Sequence, residues 1–131
     1  MTSTFTCGLD AVLFVMGGKW KPLILYHLMH GALRYGQLRR AVGKVSDKVL
    51  IQQLKELQAD GIIDRLDFGE IPPKVEYSLT SFGRSLAQAL VQLCEWGTRH
   101  TDELTSIVKR RIDPSLPSTT SGAAAPPLDR Q

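Results

Sequence analysis

The segment from Ser46 to Leu66 constrains the fold of this chain more than any other. Ser46 is a preferred N-cap residue, and Gly61 is typical of the position just after a helix. Between them, leucines recur at helical spacing, which predicts a helix with a single apolar face. These leucines are Leu50, Leu54 and Leu57. The β-branched pair after Gly61 indicates a change to extended structure.

The opposite face of the predicted Ser46 helix has side chains suited to DNA. It carries Lys48, Ile51, Gln52 and Lys55. Lysine can reach phosphates or guanine, glutamine can pair with adenine, and isoleucine can contact a thymine methyl group. An ordinary solvated face is the alternative for one such helix taken alone, so the surrounding segments decide between the two interpretations.

Positive charge is concentrated around this helix. The 131-residue chain has a formal net charge of +3, but the window from Gly31 to Lys55 holds six Lys or Arg residues and one acid, Asp47. The window therefore carries +5 and the remainder of the chain −2. A local basic patch of this kind is typical of a protein that binds a polyanion.

The predicted elements follow the order of a winged helix-turn-helix protein. Helices are predicted over residues 7–16, 19–30, 35–42 and 46–60, and residues 33–34 form a short connector or a single pair of strand residues. Strands are predicted over residues 62–68 and 74–79, and the prolines between them restrict this pair to a hairpin. We therefore predict a mainly α fold with a small β-hairpin, an α+β winged helix-turn-helix.

A single long helix is predicted to begin at Thr80 or Ser81. Its apolar stripe keeps a heptad register along Leu86, Leu90, Leu93, Gly97, His100, Leu104 and Ile107. So small a domain cannot bury the whole stripe, so we expect the later half of the helix to pack on a second subunit; folding back on its own domain is the alternative. The predicted dimer-interface residues are Leu9, Leu86, Leu90, Leu93, Gly97, His100 and Leu104.

The chain is predicted to contain one domain, over residues 7–112. Residues 1–6 are expected to be a flexible arm, and residues 113–131, rich in Pro, Ser, Thr and Ala, a disordered tail. Because no apolar run approaches the ~20 residues of a membrane span, we expect a cytoplasmic protein without membrane contact.

The sequence has no pattern typical of an enzyme or a metal centre. It lacks a nucleophile–base pairing, paired carboxylates and a phosphate-binding loop, so neither an enzymatic role nor a cofactor is expected. Three histidines without a completing carboxylate or thiol give no metal site. Cys7 and Cys94 are too far apart to form a metal or disulfide framework, and Cys94 is expected to be a small buried residue.

Four motifs occur together and in order. They are G-G-K-W at residues 17–20, R-Y-G-Q-L-R-R at 34–40, S-D-K-V-L-I-Q-Q-L-K-E-L-Q-A-D-G-I-I at 46–63 and P-P-K-V-E-Y-S-L-T-S-F-G at 72–83. Together they resemble the HxlR family of bacterial winged-helix regulators, relatives of the MarR group. The resemblance implies a homodimeric transcription factor that binds a pseudo-palindromic double-stranded DNA operator, with subunits joined through the N-terminal and C-terminal helices.

The resemblance also implies a response to electrophiles or oxidants through a cysteine just before the first helix. Cys7 occupies that position, where the positive end of a helix dipole favours thiol reactivity. The alternative is an inert cysteine in the dimer interface, and a bridge to Cys94 of the partner subunit stays open. Gly8, which stands where the family usually has proline, loosens the geometry around Cys7.

Ten residues are predicted to contact DNA. They are Ser46, Lys48, Ile51, Gln52, Lys55, Arg39, Arg40, Lys44, Lys74 and Lys19. The family usually has threonine where this chain has Ile51, so an apolar contact to a thymine methyl group is expected there. The alternatives are a winged-helix module for protein association and a regulator that senses a small apolar ligand near Met16, Trp20 and Trp96.

Overall fold

The computed structural model describes residues 7–115, which contain six helices and three strands; their order is as predicted, except that two helices replace the single C-terminal helix. The elements are α1 (Gly8–Val15), α2 (Trp20–Leu28), β1 (Leu33–Arg34), α3 (Tyr35–Val42), α4 (Asp47–Ala59), β2 (Ile63–Asp67), β3 (Val75–Leu79), α5 (Ser81–Arg99) and α6 (Thr101–Ile112). The predicted arm at residues 1–6, and the predicted tail beyond residue 115, lie outside the described residues. The chain divides after Val91 into two compact units.

The three strands form one antiparallel sheet in the order β1-β3-β2. Strands β2 and β3 pair from Ile63 opposite Leu79 to Asp67 opposite Val75, and the Phe68 amide donates to the Lys74 carbonyl oxygen at 2.9 Å. Each strand is slightly shorter than predicted, because residues 62, 68 and 74 lie outside the ladder. The hairpin follows α4 directly, so it is the wing of a winged helix-turn-helix.

The core of the first unit is built on α2 and the inner face of α4. The three leucines predicted to lie on that inner face, Leu50, Leu54 and Leu57, are all buried. They pack in one cluster with Ile24, Leu25 and Leu28 of α2 and with Leu38 of α3. The Ser46 hydroxyl oxygen accepts from the Val49 amide at 3.1 Å, which confirms the predicted N-cap. The inner face and the start of the helix are therefore as predicted.

The start of α5 packs very closely on the segment between α4 and β2. The Thr80 hydroxyl lies 2.7 Å from the Gly61 carbonyl oxygen and accepts from the Gly83 amide at 2.9 Å. Gly83 is buried, and a Cβ at this position would lie 2.0 Å from the Ile62 carbonyl oxygen. Only glycine therefore fits at residue 83.

The prediction of one long C-terminal helix is wrong, because the helix is interrupted at His100. This residue has φ −117° and ψ 32°, and it separates α5 from α6. The Thr98 hydroxyl donates to the Cys94 carbonyl oxygen at 3.0 Å, and the Thr101 hydroxyl to that of Thr98 at 2.8 Å. Such hydroxyl groups compete with the backbone ladder and bend helices. The heptad stripe consequently does not continue through His100.

Helix α1 leaves most of its apolar residues at the surface. Met16, just after the helix, is 6% exposed, whereas Leu9 is 65% exposed. Leu13 and Phe14 are exposed as well. Among residues 7–115, no helix is long and apolar enough to cross a membrane.

Candidate nucleic-acid interface

The outward face of α4 presents the side chains predicted to read DNA. Lys48, Ile51, Gln52 and Lys55 are all exposed, and the buried leucines lie on the other side of the helix. Ile51 is 42% exposed even though it is apolar. An exposed apolar side chain between polar ones suits contact with base edges, which include thymine methyl groups.

The start of α4 is fixed to α3 by an acidic residue. Asp47 Oδ1 lies 2.8 Å from Arg39 Nε and accepts a hydrogen bond from the Tyr35 hydroxyl. Burial, followed by this hydrogen bond and the charge of Asp47, raises the pKa of Tyr35 to about 12. Arg39 was predicted as a phosphate contact; it also orients the two helices of the helix-turn-helix, and its own charge is partly neutralised.

A second acidic residue holds one of the predicted base-reading side chains. Glu56 Oε1 lies 2.6 Å from Lys21 Nζ, and Gln52 Nε2 donates to Glu56 Oε2 at 2.9 Å. The hydrogen bond from Gln52, then the hydrogen bond and charge of Lys21, lower the pKa of Glu56. The sequence prediction missed this arrangement; the spacing of four residues between Gln52 and Glu56 was the available signal.

The groove between α4 and the sheet adds one basic residue that the sequence prediction missed. A cavity of about 560 Å³ is lined by Ile51 and Lys55 of α4, Arg65 of β2 and Tyr35 of α3, among others. Arg65 therefore lies beside the outward face of α4. Its signal in the sequence was weak, since a single arginine in a short strand is usually only solvated.

The other predicted DNA contacts lie on several different elements. Arg40 and Lys44 are exposed next to the turn before α4. In the wing, Lys74 Nζ lies 4.3 Å from the centre of the Phe68 ring, which restricts its position by a cation–π contact. Lys19 is the N-cap residue of α2, with its Nζ 4.8 Å from the centre of the Trp20 ring.

Both cysteines are exposed free thiols. Cys7 is the N-cap residue of α1, and its side chain makes no capping hydrogen bond. Cys94 lies in α5, and its exposure contradicts the expectation that it is buried. The stripe prediction failed here because it placed Cys94 beside buried leucines, whereas the neighbouring Leu93 is itself exposed.

The predicted dimer residues differ in exposure. Leu9 and Leu93 are exposed, whereas Leu86 and Leu90 are half-buried against the core of the first unit. In the second unit, the His100 ring stacks on Trp96 with the ring centres 4.4 Å apart. Gly97 and Leu104 are also half-buried there.

An apolar cavity lies between α1 and α5 within the first unit. It has a volume of about 430 Å³, and its lining includes Val12, Val15, Met16, Phe82 and Leu86. Trp20 and Trp96, which were expected beside Met16 in such a pocket, are not among its lining residues.

The part of the chain that the structure describes contains no group of three or more His, Cys, Asp or Glu residues that could hold a metal ion. His27 and His30 lie at the end of α2, next to Tyr26. Burial, with a smaller contribution from His30, lowers the pKa of His27. A half-buried imidazole in this setting is an ordinary packing residue.

Comparison with known proteins gives consistent matches in sequence and in structure. The family model described as HxlR-like helix-turn-helix matches residues 15–105. The uncharacterized HTH-type transcriptional regulator YtcD of Bacillus subtilis (strain 168) is 46% identical over 100 residues, which cover 76% of this chain and 79% of YtcD.

Two solved structures carry the same fold. The redox regulator HypR in its reduced form matches with a TM-score of 0.71 and 43% identity, over 76% of this chain and 99% of that one. Diamide-treated YodB from B. subtilis matches with a TM-score of 0.60 and 29% identity, over 72% of this chain and 95% of that one.

These matches confirm the predicted winged helix-turn-helix and the predicted absence of enzymatic function, because the family consists of regulators rather than enzymes. The family model spans the described elements from the end of α1 into α6. This chain therefore belongs to the HxlR-like helix-turn-helix family and is a transcriptional regulator of the helix-turn-helix type.

Proposed function

We propose that this chain acts in the cytoplasm as a homodimer that binds a pseudo-palindromic operator, with α4 of each subunit in the major groove. One observation carries the proposal. The outward face of α4 is exposed and polar around Ile51, within the segment of the chain that carries the excess positive charge. A two-fold dimer reads two half-sites that repeat with the same symmetry.

Each group of residues has a distinct role in this proposal. Gln52 and Ile51 read bases, since an amide suits adenine and an apolar group suits a thymine methyl. Lys48 and Lys55 reach phosphates or guanine. Phosphate contacts are assigned to Ser46, Arg39, Arg40, Lys44, Lys74 and Lys19, with Arg65 added beside α4.

Dimerisation is supported by apolar residues that one subunit leaves uncovered. Leu9 and Leu13 of α1 and Leu93 of α5 are exposed. Monomeric proteins rarely expose contiguous apolar patches, and a patch on α1 would be covered by a second copy. The half-buried Leu86 and Leu90 would then contribute to the interface through the parts of their side chains that stay exposed.

A salt titration of DNA binding tests the proposal. The full chain is titrated onto DNA from its own upstream region and onto unrelated DNA of equal length. The six Lys and Arg phosphate contacts assigned to each subunit should give a log–log slope of affinity against salt of about −5 per subunit and about −11 for the dimer, with tighter binding to the upstream region. A flat salt response would instead favour a protein-association module. Equal affinity for both DNAs would contradict sequence-specific binding.

We further propose that Cys7 makes DNA binding responsive to oxidants or electrophiles. The support is the exposure of its thiol at the start of α1, together with the similarity to HypR, described as a redox regulator. A quinone would add to the thiolate to form a thioether. Diamide would instead take up two electrons and two protons as Cys7 and a second thiol form a disulfide.

Replacing Cys7 with serine should remove the response and preserve DNA binding. Treatment with diamide or a quinone should lower the operator affinity of the wild-type protein but leave that of Cys7→Ser unchanged, as measured by fluorescence anisotropy. Cys94→Ser is the matched control for the quinone, because Cys94 is also exposed; with diamide the same variant tests whether Cys94 supplies the second thiol. If the treated Cys7→Ser variant still loses affinity, Cys7 is not the sensor.

A small apolar ligand is the second candidate effector. The observation in its favour is the apolar cavity of about 430 Å³ between α1 and α5, a volume within the range of small-molecule sites. An effector in this cavity would change operator affinity equally in the wild-type protein and in a Cys7→Ser/Cys94→Ser variant. That comparison separates it from a thiol-based effector.

A further inference from the structure

The carboxylate of Glu56 connects the base-reading face of α4 to the core helix α2. One of its oxygens lies 2.6 Å from Lys21 Nζ, and the other accepts from Gln52 Nε2 at 2.9 Å. The Lys21 side chain is only 11% exposed, whereas that of Glu56 is 42% exposed. The three side chains therefore form a polar network that connects a buried ammonium group to an exposed amide.

The hydrogen-bonding chemistry of this network determines which way the Gln52 amide points. An ionised carboxylate only accepts hydrogen bonds, so the nitrogen of the amide must face Glu56. The flipped amide would bring its oxygen against the negative carboxylate. The Gln52 Oε1 atom and the second N–H hydrogen thus remain available on the side away from Glu56.

Lys21 fixes the position of the Glu56 carboxylate. A buried ammonium group is costly without a partner, so Lys21 holds Glu56 through a close ion pair. Lys21 belongs to α2, which packs on the inner face of α4. The Gln52 amide is therefore anchored before any DNA arrives.

We infer that Glu56, held by Lys21, is a positioning residue that orients the Gln52 amide to select adenine at one base pair of each half-site. This inference rests on the proposed DNA-binding function. Adenine presents the N6 donor beside the N7 acceptor in the major groove, and this pair matches an amide oxygen beside an N–H group. With a free amide, donor and acceptor could exchange places and other bases would be accepted.

Selection of binding sites from a random DNA pool tests the inference. Full-length wild-type protein, Glu56→Gln and Gln52→Ala are compared for base preference at each position. Gln52→Ala should lose the preference for adenine at one position of each half-site. Glu56→Gln should weaken the preference for adenine at that same position and leave the other positions unchanged. We expect a loss of about fivefold or more, since about fivefold is the smallest discrimination that a good bidentate contact provides.

Two further variants separate positioning from charge and from folding. Asp60→Asn removes a negative charge from the end of the same helix and should raise the affinity for all sites while preserving every base preference. Lys21→Met/Glu56→Gln removes the buried charge along with its partner, so this variant should stay folded. It should show the same weakened base preference at that position as Glu56→Gln. Thermal unfolding checks that each variant is folded.

The outcomes distinguish this inference from the proposed function. If Glu56→Gln and the double variant keep the wild-type preference at the position that Gln52→Ala loses, the positioning role is wrong. If Gln52→Ala leaves the selected site unchanged, the inference fails together with the base-reading role of Gln52, although DNA binding stands. If the wild-type protein selects no site, the proposed function itself fails.

Discussion

Replacing Gly83 with alanine should lower the free energy of unfolding by about 1–3 kcal/mol, although alanine is ordinarily the better helix former. The reason is the close approach of α5 to the backbone of Ile62, where the added Cβ would lie 2.0 Å from a carbonyl oxygen. A carbonyl cannot turn aside as a side chain can, so the start of α5 must shift. A chemical denaturation curve measures the loss.

Gly36→Ala is the matched control for this substitution. Gly36 also lies in the first turn of a helix, but a Cβ added there would meet only the end of the flexible Arg40 side chain, at 3.6 Å. Alanine there should be neutral or stabilising by up to about 1 kcal/mol. Should both variants behave alike, the close packing of α5 on Ile62 would be refuted.

Replacing Leu9 with aspartate should convert the proposed dimer into a monomer. Leu9 is exposed in the first turn of α1, and a negative charge near a helix N-terminus does not weaken the helix. In a two-fold interface each substitution occurs twice, and each uncompensated buried carboxylate costs several kcal/mol. Operator affinity should fall by about 10²–10⁴-fold, because the second half-site no longer contributes.

Light scattering coupled to size exclusion measures the oligomeric state, and Ile71→Asp is its control. Ile71, in the wing loop, is 98% exposed, so the same chemical change there should leave the dimer intact. A Leu9→Asp protein that stays dimeric at micromolar concentration would place the interface elsewhere than α1.

The sequence predicts those parts of the fold that depend on local rules. The start of α4 follows from the hydroxyl of Ser46, and its inner face follows from three leucines at helical spacing. The hairpin follows from two strand-like segments that lie on either side of two prolines. Each of these features is decided by neighbouring residues, so a single sequence contains the information.

Tertiary contacts and competing local bonds account for what the sequence prediction missed. Lys21 and Glu56 are far apart in the chain and meet only because α2 packs on α4. The interruption at His100 depends on the hydroxyl groups of Thr98 and Thr101, which an apolar heptad pattern does not register. The wrong prediction for Cys94 has the same origin, because the heptad pattern overestimated how far the buried stripe extends.

Thr80 connects the start of α5 directly to the DNA-facing elements. Its hydroxyl and amide bind the carbonyl oxygens of Gly61 and Ile62, where α4 ends and the wing begins. A small tilt of the start of α5 would therefore displace that junction and turn α4 with the wing. In a dimer, such a turn changes the distance between the two recognition helices. The half-site spacing that the protein accepts would thus depend on the contacts of Thr80, a residue that is not itself a proposed DNA contact.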